Sequence, residues 1–266
     1  MQSFELVSEA FSRQSEIFDK YEEQNEILKW MRYVTRTHVL RHLKNGDEIL
    51  EINSGTGLDA VFFAGKGFKV HCTDISEGML KKLRSKINNY NFSRLITWQQ
   101  LSFTELDKLS GRVFDYLFSN FGGLNCSSDL KSVFIHFKKI LKPQSKVTLV
   151  IIPPFCPWEL ALLLKGNFKT AFRRLRKNGV AANIEGVNFQ TYYYSVSDVI
   201  KALGPDFRIV EVQGLASVSP PPYMINFPRK YPHLYKFLTK LDEKISGSFP
   251  FNRFADHFIL TAEYNP

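Results

Sequence analysis

Hydrophobic and polar positions change rhythm repeatedly between residues 31 and 152. Apolar residues at 31, 34, 39, 40 and 43 fall on one helical face, and Asn45-Gly46 ends that helix. DEILEIN (47–53) then reads as a short strand and GLDAVFFAGKG (57–67) as a helix ending at Gly65 or Gly67. FKVHCTD (68–74) is a second strand, and SEGMLKKLRSKINNY (76–90) a second helix with Ser76 as its N-cap. LITWQQLSF (95–103), VFDYLFSNF (113–121) and SKVTLVII (145–152) continue as strands. TELDKLSG (104–111) is a short helix or loop. SDLKSVFIHFKKILKP (128–143) is a helix capped by Ser127 or Ser128, with Pro143 at its end. Strands alternating with helices predict a mostly parallel sheet covered on both faces, so 35–152 is expected to be a doubly wound, Rossmann-like α/β unit.

On either side the rhythm differs. Residues 1–34 read as a polar helical lid with scattered aromatics, among them Phe11, Phe18, Tyr21 and Trp30. After 152, strand-like FQTYYYS and FRIVEVQGLA flank helix-like VSDVIKALG, and ADHFILTAEY closes the chain as a strand. Two late strands joined by a long excursion predict an antiparallel edge on the sheet. Residues 153–190 and 216–254 are expected to form a helical and aromatic cap over its carboxyl end, the whole of 1–266 being one domain.

Composition narrows the class. With 266 residues, 44% of them hydrophobic and 23% charged, the chain is a globular protein rather than a disordered one. Three distant cysteines without a C-x-x-C pair suggest neither a zinc site nor a disulfide framework, so a cytoplasmic location with reduced thiols is expected. MQSFELVSEAFSRQSE has early acids and no apolar centre, unlike a signal peptide, and no apolar run is long enough to span a bilayer. The formal net charge of +9 leaves an anionic partner open. Its sharpest expression is 165–177, where Lys165, Lys169, Arg173, Arg174, Arg176 and Lys177 occur without an acid. Leu164, Phe168, Phe172 and Leu175 fall on one stripe there, so a basic amphipathic helix is expected, either packed on the core or docking to a membrane surface or an acidic carrier protein.

The candidate chemistry begins at LEINSGTG (50–57). Gly55-Thr56-Gly57-Leu58-Asp59-Ala60 fits the G-x-G-x-x-A form of the dinucleotide fingerprint, with Asp74 placed 17 residues past Gly57 as a ribose-binding acid. A pyrophosphate would rest on the helix that follows, where the Asp59 carboxylate in the first turn would repel it. A zwitterionic amino acid bearing a sulfonium meets no such repulsion. Asn53 occupies the place of the loop's first glycine; asparagine tolerates left-handed backbone better than other non-glycine residues, so it is expected to keep the loop competent.

Four pieces in order, LEINSGTG, TDISEGML, LSFTEL and FDYLFSNFGGLN followed by LKP, resemble class I S-adenosylmethionine (SAM)-dependent methyltransferases of the small-molecule, type 11 kind. The resemblance covers 47–152. It implies that Glu51 orients the loop or the cofactor's amino group, and that Gly55 and Gly57 let the backbone approach the methionine moiety. Asp74 would accept the ribose hydroxyls, Ile75, Met79 and Phe103 would pack on the adenine, and Ser102 stands where similar enzymes often have an acid. Asn120 and Phe121 would border the methyl group, and Tyr21 and Arg32 resemble lid and carboxylate-binding residues.

Methyl transfer needs alignment of nucleophile, methyl carbon and sulfur more than covalent help, with a base only where the acceptor must lose a proton. None of the six histidines, at 38, 42, 71, 136, 233 and 257, forms a recognisable pair in the sequence. Tyr193, Tyr194, Tyr223 and His233 are the candidates for catalysis because they lie in the segments expected to roof the site. That roof is aromatic, which suits a small hydrophobic or aromatic acceptor with an oxygen, nitrogen or carbon nucleophile. An NAD(P)-dependent oxidoreductase and a non-catalytic binding module of the same fold are the alternatives. A nucleic-acid acceptor is not expected: SNFGGLN lacks the D/N-P-P-Y/F signature used on base nitrogens. No metal site is expected.

Overall fold

The computed structural model describes residues 4–109, 111–161, 166, 168, 172–176 and 178–266. Its centre is a seven-stranded sheet. Five strands run parallel: β1 (Glu48–Ile52), β2 (Lys69–Asp74), β3 (Ile96–Gln100), β4 (Phe114–Ser119) and β5 (Leu141–Ile151). β8 (Phe207–Leu215) and β9 (His257–Tyr264) complete the order β3-β2-β1-β4-β5-β9-β8, with β9 antiparallel to both neighbours. The central strand β4 is a near-continuous apolar run because both its faces are covered: Tyr116, Leu117 and Phe118 are all fully buried.

Two cores lie on the two faces. On one, α2 (Glu26–His42), α3 (Leu58–Ala64) and α4 (Glu77–Asn89) pack Ile27, Met31, Phe63, Leu80 and Leu83 against Ile49, Val70 and Phe118. On the other, α5 (Leu130–Phe134), α6 (Phe137–Ile140) and α8 (Val196–Leu203) pack Val133, Phe134, Phe137 and Val199 against Leu50, Ile52 and Leu117. The Ser76 cap is as expected: its hydroxyl accepts from the Met79 amide.

Local departures have local causes. The N-terminal helix breaks at Asn25, whose side chain caps α2 by accepting from the Ile27 and Leu28 amides, leaving α1 (Phe4–Glu23) separate. α2 therefore crosses the boundary expected at residue 34. The helix read over 128–143 is two short pieces, capped at Asp129 rather than at a serine, and β5 starts at Leu141 so that Pro143 lies within the strand. A hairpin of β6 (Val180–Ile184) and β7 (Val187–Thr191) forms its own two-stranded sheet beneath α1. α7 (Pro157–Leu160) follows β5.

The basic amphipathic helix is not seen where the chain is described. Arg173–Leu175 is a single 3₁₀ turn, and Arg174 is buried between Glu159 and Asp256 instead of facing solvent. Phe168, Phe172 and Leu175 are exposed, not packed on the core. Leu164, Lys165, Lys169 and Lys177 lie outside the described residues.

Candidate cofactor and acceptor site

The carboxyl ends of β1, β2, β3 and β4 open into one cleft, the place where ligands bind in such sheets. Asn53 and Gly55 line it from the loop after β1, and Asp74, Ile75 and Met79 from the turn between β2 and α4. Ser102 and Phe103 line it after β3, and Asn120 and Phe121 after β4. These nine of the expected cofactor residues are brought together. The cleft's cover is α1, through Val7, Phe11 and Phe18.

The loop after β1 is built from left-handed backbone: φ is +48° at Asn53, +55° at Gly55 and +77° at Gly57. The two glycines do different work. A Cβ on Gly55 would meet no atom within 4 Å, so it would project into open space on the cleft side of the loop. A Cβ on Gly57 would stand 2.2 Å from Leu83 Cδ1, so Gly57 is required by the packing of α4 and not by the cleft. Asn53 reaches across the cleft floor: its amide donates to Ser119 Oγ at 2.7 Å, while its Oδ1 is buried without a partner. A Cβ on Gly123, opposite, would lie 2.5 Å from Asn53 Nδ2 and would displace that side chain.

Asp74 has a structural task as well as a place in the cleft. Its two oxygens each accept one backbone hydrogen bond at 2.8 Å, Oδ2 from Gly55 and Oδ1 from Ser76, which staples the two ligand-facing loops together. Each carboxylate oxygen keeps a second lone pair for a hydroxyl donor. Burial pushes the carboxyl up to about 6 despite those amides. Ser102 is engaged with Thr104, through a 2.8 Å hydroxyl contact and the Thr104 amide. Phe103 meets Phe4 of α1 edge to face at 5.5 Å.

Four expected residues stand outside the cleft: Gly57, already placed, and three others. Tyr21 is exposed. Arg32 is buried and holds Glu22 and Asp59, so it clamps α1 and α2 to α3 instead of presenting its guanidinium to a ligand. Glu51 is buried beneath the loop with Oε2 unpartnered, and burial followed by the Asp59 charge holds its carboxyl well above the ordinary range. Asp59 does not repel as the sequence suggested. Arg32 and Arg36 both pair with it and Asn120 donates to it at 2.8 Å, so its charge is compensated.

The candidates for catalysis do not line the cleft. His233 is exposed near the start of α10 (Pro232–Ile245), which follows α9 (Phe227–Lys230). Tyr194 donates its hydroxyl to the Ser127 carbonyl. Tyr193 and Tyr223 lie toward Arg174 and Asp256, and burial keeps both phenols above their ordinary range. The segment 216–254 packs along α2, through Asn25 to the Pro222 carbonyl at 2.9 Å and Trp30 to Glu243 at 3.4 Å, rather than over the cleft. Residues not anticipated in the cleft are Val7, Leu101, Gly122, Gly123 and Cys126, with Phe11 and Phe18 not assigned to it beforehand. Burial pushes the Cys126 thiol up to about 12, so it is inert.

The arrangement suits a nucleoside joined to an amino acid. Its lining brings together a hydroxyl acceptor (Asp74), apolar walls (Ile75, Met79, Leu101, Phe103), a glycine with open space above it (Gly55) and the unpartnered Asn53 Oδ1.

Known proteins similar to this chain are methyltransferases or share their fold. Residues 49–144 match the family model described as a methyltransferase domain. The chain is 25% identical over 214 residues to the uncharacterized protein MJ1252 of Methanocaldococcus jannaschii, covering 78% of each. It is 38% identical over 99 residues to the demethylmenaquinone methyltransferase of Symbiobacterium thermophilum, covering 32% of this chain and 38% of that one. Geranyl diphosphate C-methyltransferase from Streptomyces coelicolor A3(2), crystallised with S-adenosylhomocysteine, shares the fold with a TM-score of 0.56 at 11% identity, over 87% of this chain and 78% of that one.

Proposed function

Starting from a chain that carries a methyltransferase domain on the class I, Rossmann-like methyltransferase fold, we propose that it transfers a methyl group from SAM to a small, hydrophobic or aromatic acceptor. The observation that carries this reading is the pairing of Gly55 and Asp74. One leaves open space for close backbone approach, and the other offers two oxygens with free lone pairs in the same cleft.

When bound, the cofactor supplies a methyl group on a positively charged sulfur. The residues position it. Asp74 would take the two ribose hydroxyls, Ile75, Met79 and Phe103 would pack on the base, and Asn53 would offer its unpartnered Oδ1 to the amino-acid end. Asn120 is locked by Asp59 at one end of its amide, and at the other its Oδ1 accepts from the Phe121 amide at 2.8 Å. That fixes the loop after β4, on which the acceptor would rest. α1 closes the cleft with apolar side chains, so water is kept from the reacting atoms. The apolar lining of the loop after β4 supports an uncharged acceptor, and a quinone-type substrate is named for the relative from Symbiobacterium thermophilum.

Equilibrium dialysis with radiolabelled SAM tests the reading. Wild-type protein retains label that excess S-adenosylhomocysteine displaces, and Gly55→Val retains none. Equal retention by both proteins would show that the cofactor does not lie on this loop.

A further inference from the structure

β5 and β8 are each antiparallel to β9, so they run the same way and both end at the cleft end of the sheet. The segments that leave them meet there. Trp158 of α7 packs edge to face on Phe227 of α9 at 5.7 Å, and its Nε1 donates to the Val218 carbonyl at 3.1 Å. α10 then starts beside the first turn of α2, where the Tyr235 hydroxyl donates to the Glu26 carbonyl at 3.4 Å. α2 ends shortly before β1 begins, at the amino end of the sheet, so its first turn lies toward the cleft end. α9 and the first turns of α10 therefore present their surface at the same end of the molecule as the cleft.

That surface is one-sided in charge. Residues 212–241 contain no aspartate or glutamate, but they contain Arg229, Lys230, Lys236 and Lys240, all exposed. Arg229 donates to Asn226 Oδ1 at 3.4 Å and Lys230 stands over the Tyr231 ring at 5.2 Å, and neither contact neutralises the charge. The two acids that follow are engaged elsewhere. Asp242 is buried and accepts from the Ser217, Val218 and Ser219 amides, and Glu243 accepts from Trp30 Nε1 at 3.4 Å. Apolar side chains stand among the cations. Tyr223, Ile225 and Tyr231 are exposed around α9, and on α10 Leu234 is 47% and Phe237 60% exposed. At helical spacing, positions 233, 237, 240 and 244 share the face of α10 opposite the buried Thr239 and Asp242, with Leu234 and Lys236 flanking it.

We propose that α9 and the exposed face of α10 dock on an anionic bilayer surface, with Leu234 and Phe237 set among the headgroups. An exposed apolar side chain gains by leaving water, and a lysine or arginine gains near anionic headgroups. A nucleic acid would reward the cations but not Leu234 or Ile225; a bilayer rewards both. α10 has 14 residues, too short to cross a bilayer but suited to lying in its headgroup layer. The surface is separate from the basic run at 165–177. It stands without the SAM reading; where that reading holds, docking at the cleft end supplies an apolar acceptor from the lipid.

Co-sedimentation of the full chain with lipid vesicles tests this. Wild-type protein is expected to bind vesicles of equal parts phosphatidylglycerol and phosphatidylcholine, to bind phosphatidylcholine alone far more weakly, and to be released by high salt. Lys236→Ala with Lys240→Ala removes two charges and should weaken binding about thirtyfold. Leu234→Ser with Phe237→Ser should weaken it about tenfold or more. All four side chains are exposed, so both double variants should keep the wild-type melting temperature and its rise with S-adenosylhomocysteine. No binding to anionic vesicles, or binding equal to wild type by either double variant, overturns the proposal. Binding that needs the lysines but not Leu234 and Phe237 would mark a surface for a soluble polyanion instead. A wild-type protein that binds the vesicles but is not stabilised by S-adenosylhomocysteine would sink the cofactor reading alone.

Discussion

Asn53, Gly55 and Asp74 carry the residue-scale account. Asn53→Gly removes one hydrogen bond to Ser119, worth about 1 kcal/mol, but relieves a left-handed backbone that costs a non-glycine residue a similar amount. Melting temperature and SAM affinity of Asn53→Gly should both stay close to wild type; a large loss of either would show that the Asn53 side chain itself is needed. Asp74 makes binding depend on pH. Its folded-state value of about 6 lies above the ordinary carboxyl value, so the free protein gains stability from protonated Asp74 at low pH and loses it as pH rises through 6. Ribose hydroxyls favour the ionised form, so affinity for S-adenosylhomocysteine should fall about tenfold between pH 7 and pH 5. Calorimetric titrations at the two pH values check this, and a flat affinity would remove Asp74 from the ribose.

At the scale of elements, the docking of α1 decides whether the cleft is closed. α1 crosses α4 at Gly78, where a Cβ would stand 2.7 Å from the Ser12 carbonyl oxygen, and Ser8 and Ser12 bond to the Ile75 carbonyl and the Ser76 hydroxyl at 3.1 and 2.8 Å. Gly78→Val should therefore loosen α1 without unfolding the sheet, seen as faster amide exchange over 4–23 with protection retained in β4 and β5. Unchanged exchange in α1 would mean that the crossing is not what holds it. The sequence made the strands of 47–152 legible because a parallel sheet buried on both faces leaves apolar runs bounded by caps and glycines. It did not show α1 as the cover. Val7, Phe11 and Phe18 repeat at helical spacing, but nothing local says which surface a helical stripe will meet. Arg174 misled for a related reason. In the sequence its acidic partners, Glu159 and Asp256, lie outside the basic run, so a buried ion pair looked like a solvated charge. Asp256 and His257 are adjacent in the chain, yet only the strand that starts there turns the pair toward Phe121.

For the whole molecule, two buried neutral imidazoles tie stability to pH. His38 bonds through both nitrogens, to Gln213 and Thr261, and His71 bonds to Thr97. Burial brings each down to about 4, with the Arg112 guanidinium adding to the effect at His71. A depressed folded-state value means stability that is present above the unfolded value, about 6.5, and is lost as pH falls through the folded value near 4. Each imidazole can remove up to about 3 kcal/mol, while Asp74 works in the opposite direction over part of that range. The urea midpoint should fall between pH 6.5 and 4, and His38→Gln should lessen the slope; an identical slope in the variant would place the pH dependence elsewhere. The sheet order β3-β2-β1-β4-β5-β9-β8 gathers the loops after four strands at one end, and α1 lies over them. The claim that this end holds SAM is open to one direct measurement: thermal unfolding with S-adenosylhomocysteine and, separately, with NAD. A ligand that binds only the folded chain raises its stability by mass action. The account predicts a concentration-dependent rise in melting temperature with S-adenosylhomocysteine and none with NAD; a rise with NAD alone would contradict it.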